Sequence, residues 1–186
     1  MDNNAISTSA TVAVAAAGIA GALISVLVFK EQASHARVSL QVSLLLKLDE
    51  RFDSDGMRRI RVRAATGILR HEPSAVDDVL NFFCTVGLLA DRGALDPEMV
   101  WGSFYNWIRC YWHAALPYIE EQRKRDPTNW NNLDTLYRKL VDIQMAKYPG
   151  GAVTTDADVK EFLESESTLD LAAALSSREP SKTALA

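Results

Sequence analysis

The sequence predicts an all-α protein: a single N-terminal transmembrane helix followed by a compact cytoplasmic bundle of about five helices. Three observations carry this expectation. Ala10–Phe29, ATVAVAAAGIAGALISVLVF, contains no charged side chain; at about 1.5 Å per residue, a helix of this length spans roughly 30 Å, a bilayer's hydrocarbon core. Beyond it, apolar residues recur near every 3.6 positions and strand-like alternation is nearly absent. Glycine and proline are also few, 9 and 6 in 186 residues, which favours long uninterrupted helices.

The apolar run is too long for a signal-peptide core. The residues before it, MDNNAISTS, include Asp2 and no Lys or Arg, unlike a signal peptide's positive start. Its larger apolar side chains favour insertion by roughly 3–5 kcal/mol in all, partly offset by Thr11, Gly18, Gly21 and Ser25. Lys30, Arg37, Lys47 and Arg51 follow the span and none precedes it. The positive-inside rule then puts the N-terminus outside and the main domain in the cytoplasm of an inner (plasma) membrane. Ala13, Ala17, Gly21 and Ser25 repeat every four residues, a small-residue face on which two such helices could associate.

The expected organisation is a polar segment over 1–9, the anchor over 10–29, a helical domain over 30–151, and a short acidic helix with a mobile tail over 152–186. The net charge of −4 is unevenly spread. Nine basic residues face five acids from Lys30 to His71, whereas seven acids face three bases from Val153 onward. A basic stretch beside the bilayer suits an anionic inner leaflet.

Glu31 to Phe52 is expected to prolong the anchor as one helix. Val38, Val42, Leu45, Leu48 and Phe52 form its stripe, widened by Leu44 and Leu46 and destined for the core or a second copy. Asp53, Ser54 and Asp55 are candidate caps for the next helix, where Met57, Ile60, Ala64, Ala65, Ile68 and Leu69 share a face. The remaining surface carries Arg58, Arg59, Arg61, Arg63 and Arg70, a candidate contact for anionic ligands or lipid headgroups. Solvated arginines paired with the protein's own carboxylates are the plainer reading.

Ser74 is the expected cap of the third helix, with Asp77 at its capping-box position and Gly93 at its end. Asp96, Pro97 and Glu98 give a strong start to the fourth. That helix is apolar nearly all round, as a central helix should be, and Pro117 is expected to kink or break it near Ala114. Its Trp101, Tyr105, Trp107 and Trp112 are either core or a candidate aromatic pocket or partner surface. A fifth helix carries Leu133, Leu136, Tyr137 and Leu140 and stops at Pro149-Gly150-Gly151. Thr155 or Asp156 can cap a short acidic helix through Phe162 and Leu163, and from about Ser165 a mobile tail is expected.

Chemistry-bearing patterns are sparse. His35, His71 and His113 lie on separate segments, none with a second ligand at metal spacing, and no HExxH, GxSxG, GxxxxGK[ST] or GxGxxG occurs. No catalytic residue, metal or cofactor is nominated. Cys84 and Cys110, without any CxxC, read as buried free thiols in a reducing compartment.

The runs RFDSDGMRR, DDVLNFFCTVGLLADRGALDPEMVW, WIRCYWHAALPYI and DPTNW resemble a bacterial family with an N-terminal membrane anchor, known mainly as a domain of unknown function. The likeness spans about Leu45 to Leu140, and its GLLxxxGALDxxxVW pattern is the most specific part. It implies a helical, membrane-anchored protein and brings no activity with it.

The functional expectation is a membrane-tethered interaction or regulatory module that self-associates. Its partners would be membrane lipid, a second copy and an unidentified protein; a nucleic-acid partner is not expected. One alternative is a membrane-bound enzyme or effector that binds a phosphorylated ligand through the arginine-rich helix. Another is a subunit of a multimeric membrane assembly, although the anchor lacks a polar stripe to line a channel.

Overall fold

Capping chemistry sets most of the helix boundaries in the computed structural model, which describes residues 31–32, 35–72, 75–151 and 154–169. The anchor and its face of Ala13, Ala17, Gly21 and Ser25 lie outside the described residues. Among those residues there are six helices and no strand, and no helix is long and apolar enough to cross a membrane. The chain divides into two units, residues 1–43 and 44–186.

The described part of the first unit is helical over 35–43, within α1 (35–53). Val38 and Val42 of the expected stripe are exposed there rather than covered. In the second unit Leu44 and Leu45 are half-buried, Leu48 and Phe52 are core, and Leu46 is exposed.

Ser54, in extended conformation, accepts a hydrogen bond from the Met57 amide and opens α2 (Asp55–Leu69). The start of α3 (Val76–Asp91) differs from expectation. Its N-cap is Ala75, held in the left-handed region at φ 63°, with no side-chain cap bond, and Ser74 lies outside the described residues. Gly93, at φ 69°, follows the end of α3, where the absence of a Cβ relieves the left-handed conformation. Asp96 then accepts the Glu98 amide and Pro97 takes the first turn of α4 (Pro97–Arg123). This helix runs unbroken through Pro117, because Ala115 and Ile119 on either side are held in the core. The lost backbone bond, worth about 3 kcal/mol in an isolated helix, is outweighed by that packing.

Trp130, also left-handed at φ 56°, precedes α5 (Asn131–Lys147), which ends just before Pro149. Thr155 and Asp158 form a reciprocal capping box at the start of α6 (Asp156–Ser167). The expected break at Ser165 does not occur. Helix α6 continues to Ser167, Glu166 is buried, and α6 packs on α2 and α4 as part of the same unit.

The interior is built on α4. Phe52, Phe82, Phe83 and Phe104 meet with ring centroids 5.2–6.2 Å apart. Each fully buried aromatic of this size contributes about 1.5–3 kcal/mol, and tilted or edge-on pairs add about 0.5–1.5 kcal/mol. On the far side α3 packs against α5 at Gly87, where an added Cβ would lie 2.3 Å from the carbonyl oxygen of Asn132. Both cysteines are free; Cys110 is buried and Cys84 half-buried.

Candidate functional site

Charged groups are seldom buried unless paired, so the two inside this bundle mark its most unusual place. Arg61 on α2 is 3 % exposed and Glu166 on α6 is 4 % exposed. Arg61 Nε donates to Glu166 Oε2 and Nη2 donates to Oε1, both at 2.7 Å, a bidentate fork on one carboxylate. The Tyr111 hydroxyl donates to Oε2 at 3.0 Å and Trp107 Nε1 to Oε1 at 3.3 Å. Arg61 Nη1 donates to the Phe52 carbonyl at 3.2 Å and reaches Asp53 at 3.5 Å. The guanidinium also lies 4.2 Å from the centre of the Phe52 ring.

Local sequence puts each group where it is. Arg61 sits four residues after Met57 and three before Ala64, on the apolar face of α2, and the alanines leave room for a long side chain. Trp107 and Tyr111 are one turn apart on α4, and Glu166 extends the apolar row Val159, Phe162, Leu163 of α6. Burial opposes the charge on Arg61, but its bond and attraction to Glu166 prevail and hold its pKa above the ordinary value. Burial, then the adjacent Glu166 carboxylate, pushes the Tyr111 hydroxyl well above the ordinary tyrosine range, so it stays a donor.

The other arginines do not join this cluster. Arg59 and Arg63 are exposed and Arg58 half-buried; no salt bridge involves these three among the described residues. Arg59 and Arg63 flank an open surface groove of about 530 Å³ with Gly56, Ile60 and Val62. Arg61 therefore leaves the predicted anion-binding group, its donors already engaged inside the bundle.

Nor do the four aromatic candidates share one pocket. Trp101 stacks on Tyr148 and Tyr105 and donates from Nε1 to Gln144 at 3.1 Å, with Lys147 Nζ 5.0 Å from its ring. Trp112 stacks on Tyr137 at 5.3 Å. Trp107 alone faces the ionic cluster. Trp101 and Trp112 instead fasten α4 to the α5 side, while Tyr105 stacks on Trp101 within α4.

A second groove, about 540 Å³, lies where α2, α4 and α6 meet around Ile68, His71, His113, Pro117, Val159 and Lys160. His113 bonds the Tyr137 hydroxyl at 3.0 Å. Burial and then nearby Arg109 push this imidazole below its ordinary value, so it is neutral at neutral pH. Among the described residues no three His, Cys, Asp or Glu side chains gather as metal ligands.

Sequence reasoning missed Glu166 and placed Arg61 outward, yet both carry a signal. Each is a charged residue at a position where the helical period of its neighbours demands an apolar one.

No curated protein and no solved structure matches the chain. A family model described as a domain of unknown function matches residues 6–140, which takes in Arg61, Trp107 and Tyr111 but stops short of α6. The chain belongs to that family, DUF4760.

Proposed function

We propose that the protein is a non-enzymatic helical interaction module, tethered by Ala10–Phe29 to the cytoplasmic face of a plasma membrane and self-associating next to that anchor. The observation that carries this reading is the apolar surface on the helix that follows the anchor. Val38, Leu40 and Val42 are exposed by 47 %, 71 % and 40 %. Val38 and Val42 lie one turn apart, with Leu40 on the opposite side, so the helix is apolar on more than one side. Solitary exposed apolar residues are ordinary, but three within five positions suit lipid or a second helix.

Membrane fractionation tests the tether: the full chain should resist alkaline carbonate extraction, and a chain starting at residue 31 should be released. In isolated membranes treated with a mild oxidant such as copper phenanthroline, Leu40→Cys should give disulfide-linked dimers that the wild-type chain does not form. Release of the full chain by carbonate would overturn the tether, and a strictly monomeric L40C chain would overturn self-association at this helix.

A second reading rests on Arg59 and Arg63. Two exposed guanidinium groups beside an apolar groove suit an anionic lipid headgroup, with Ile60 and Val62 toward the acyl boundary.

A further inference from the structure

We propose that Arg61, Tyr111 and Trp107 form a carboxylate-recognition site, that α6 is its detachable resident through Glu166, and that α6 of a second copy is its ligand when the site opens.

Four donors converge on the Glu166 carboxylate, two on each oxygen, which is as many as a carboxylate normally accepts. All four come from α2 and α4. The receptor is pre-set without α6, because Arg61 is also fixed by the Phe52 carbonyl and ring. Receptor and occupant differ in a second respect: the family match covers the donors and ends at residue 140, whereas α6 begins at Asp156.

Helix α6 is held by one strip of contacts on α2 and α4, where the Phe162 ring meets Tyr111 edge-on at 5.3 Å. Apart from Glu166, its only fully buried side chain is Leu163, with Val159 and Phe162 half-buried. The attraction within a buried ion pair is largely offset by the desolvation of both charges, so α6 belongs to the low-stability end of the fold. Its connection to α5 runs through Pro149-Gly150-Gly151, with Gly150 at φ 85°. Eight residues, 148–155, reach about 30 Å when extended, far enough to deliver α6 to a neighbouring molecule. A second copy's α6 carries the same Val159, Phe162, Leu163 and Glu166 face, so it fits the site by construction. The inference stands apart from the membrane reading, since every residue in it lies between 52 and 166.

The test uses the purified full chain and a fluorescent peptide of residues 154–169 as the probe. In wild type, α6 amides should exchange about 100-fold faster than those inside α4, by an opening that leaves α2–α5 protected. The peptide should bind the Glu166→Gln chain, whose own helix has lost its charged anchor. A peptide with Gln at 166 should bind about tenfold more weakly or worse. Arg61→Gln added to the host should remove the preference for Glu, while its circular dichroism confirms the helices. Equal protection of α6 and α4, or a peptide indifferent to the residue at 166, would overturn the proposal.

Discussion

Arg61 and Glu166 stand 105 positions apart in the chain and share two 2.7 Å hydrogen bonds in a site that solvent scarcely reaches. The pair joins α2 to α6. Removing either side chain strands the other, and the stranded charge can regain water only if α6 leaves.

A double-mutant cycle should display this dependence. Glu166→Gln and Arg61→Gln should each lower stability to urea by about 1–3 kcal/mol. The double variant should be less destabilised than the sum of the two, with a coupling of about 1–3 kcal/mol. Strict additivity would mean that the two side chains act independently.

Gly87→Ala should destabilise the bundle although alanine is the better helix former. The new methyl would meet the Asn132 backbone at 2.3 Å, and backbone cannot rotate aside as a side-chain tip can. The expected loss is about 1–3 kcal/mol by thermal or urea unfolding, with helix content unchanged at low temperature. Gly102→Ala, with open space around it, serves as the control and should be neutral or stabilising.

Alkaline pH should weaken the fold through its shielded tyrosines, Tyr111 and Tyr118 foremost. Burial, then the hydrogen bond to Asp77, pushes Tyr118 up to about 12, and Tyr111 is raised well above the ordinary value for the reasons given above. The folded protein thus keeps these protons while the unfolded chain begins to lose them near pH 10. Their contribution is complete below about pH 10 and declines as pH rises toward 12. Burial raises Tyr105 and Tyr137 as well, so tyrosinate absorbance should show these four tyrosines ionising late, and Tyr118→Phe should reduce the loss of stability above pH 10.

Reversing Arg59 and Arg63 together to Glu should lower binding to vesicles rich in anionic lipid by about tenfold or more, at about 1 kcal/mol per charge. Thermal stability should hardly move, since both side chains are exposed. Unchanged vesicle binding would remove the headgroup reading.

Where the backbone makes a local choice, the sequence is legible. Ser54, Asp96-Pro97, Gly93 and Thr155 mark helix ends by side-chain or backbone chemistry that any chain would follow. The central position of α4 is equally readable from its near-continuous apolar surface. Choices settled by distant neighbours are harder. Pro117 lies in an unbroken helix because Ala115 and Ile119 are clasped by other elements, and Ala75 replaces an expected polar cap in a conformation its own side chain disfavours. The ionic cluster falls between these cases. Arg61 and Glu166 each violate a period that is visible in one dimension, but only the fold reveals that the two violations answer one another.

Helices α3 and α5 touch through Gly87, and both begin at a left-handed residue with no side-chain cap bond. The first turns of α4 and α6 have such caps, which satisfy their leading amides from local sequence. The opening turn of α5 instead rests on the side of α3, at Gly87 and through Trp130 Nε1, which donates to Asn81 at 3.0 Å. The uncapped start of α5 thus depends on a single glycine-sized gap in the flank of α3, so a contact between helices does there what a side-chain cap does at α4 and α6.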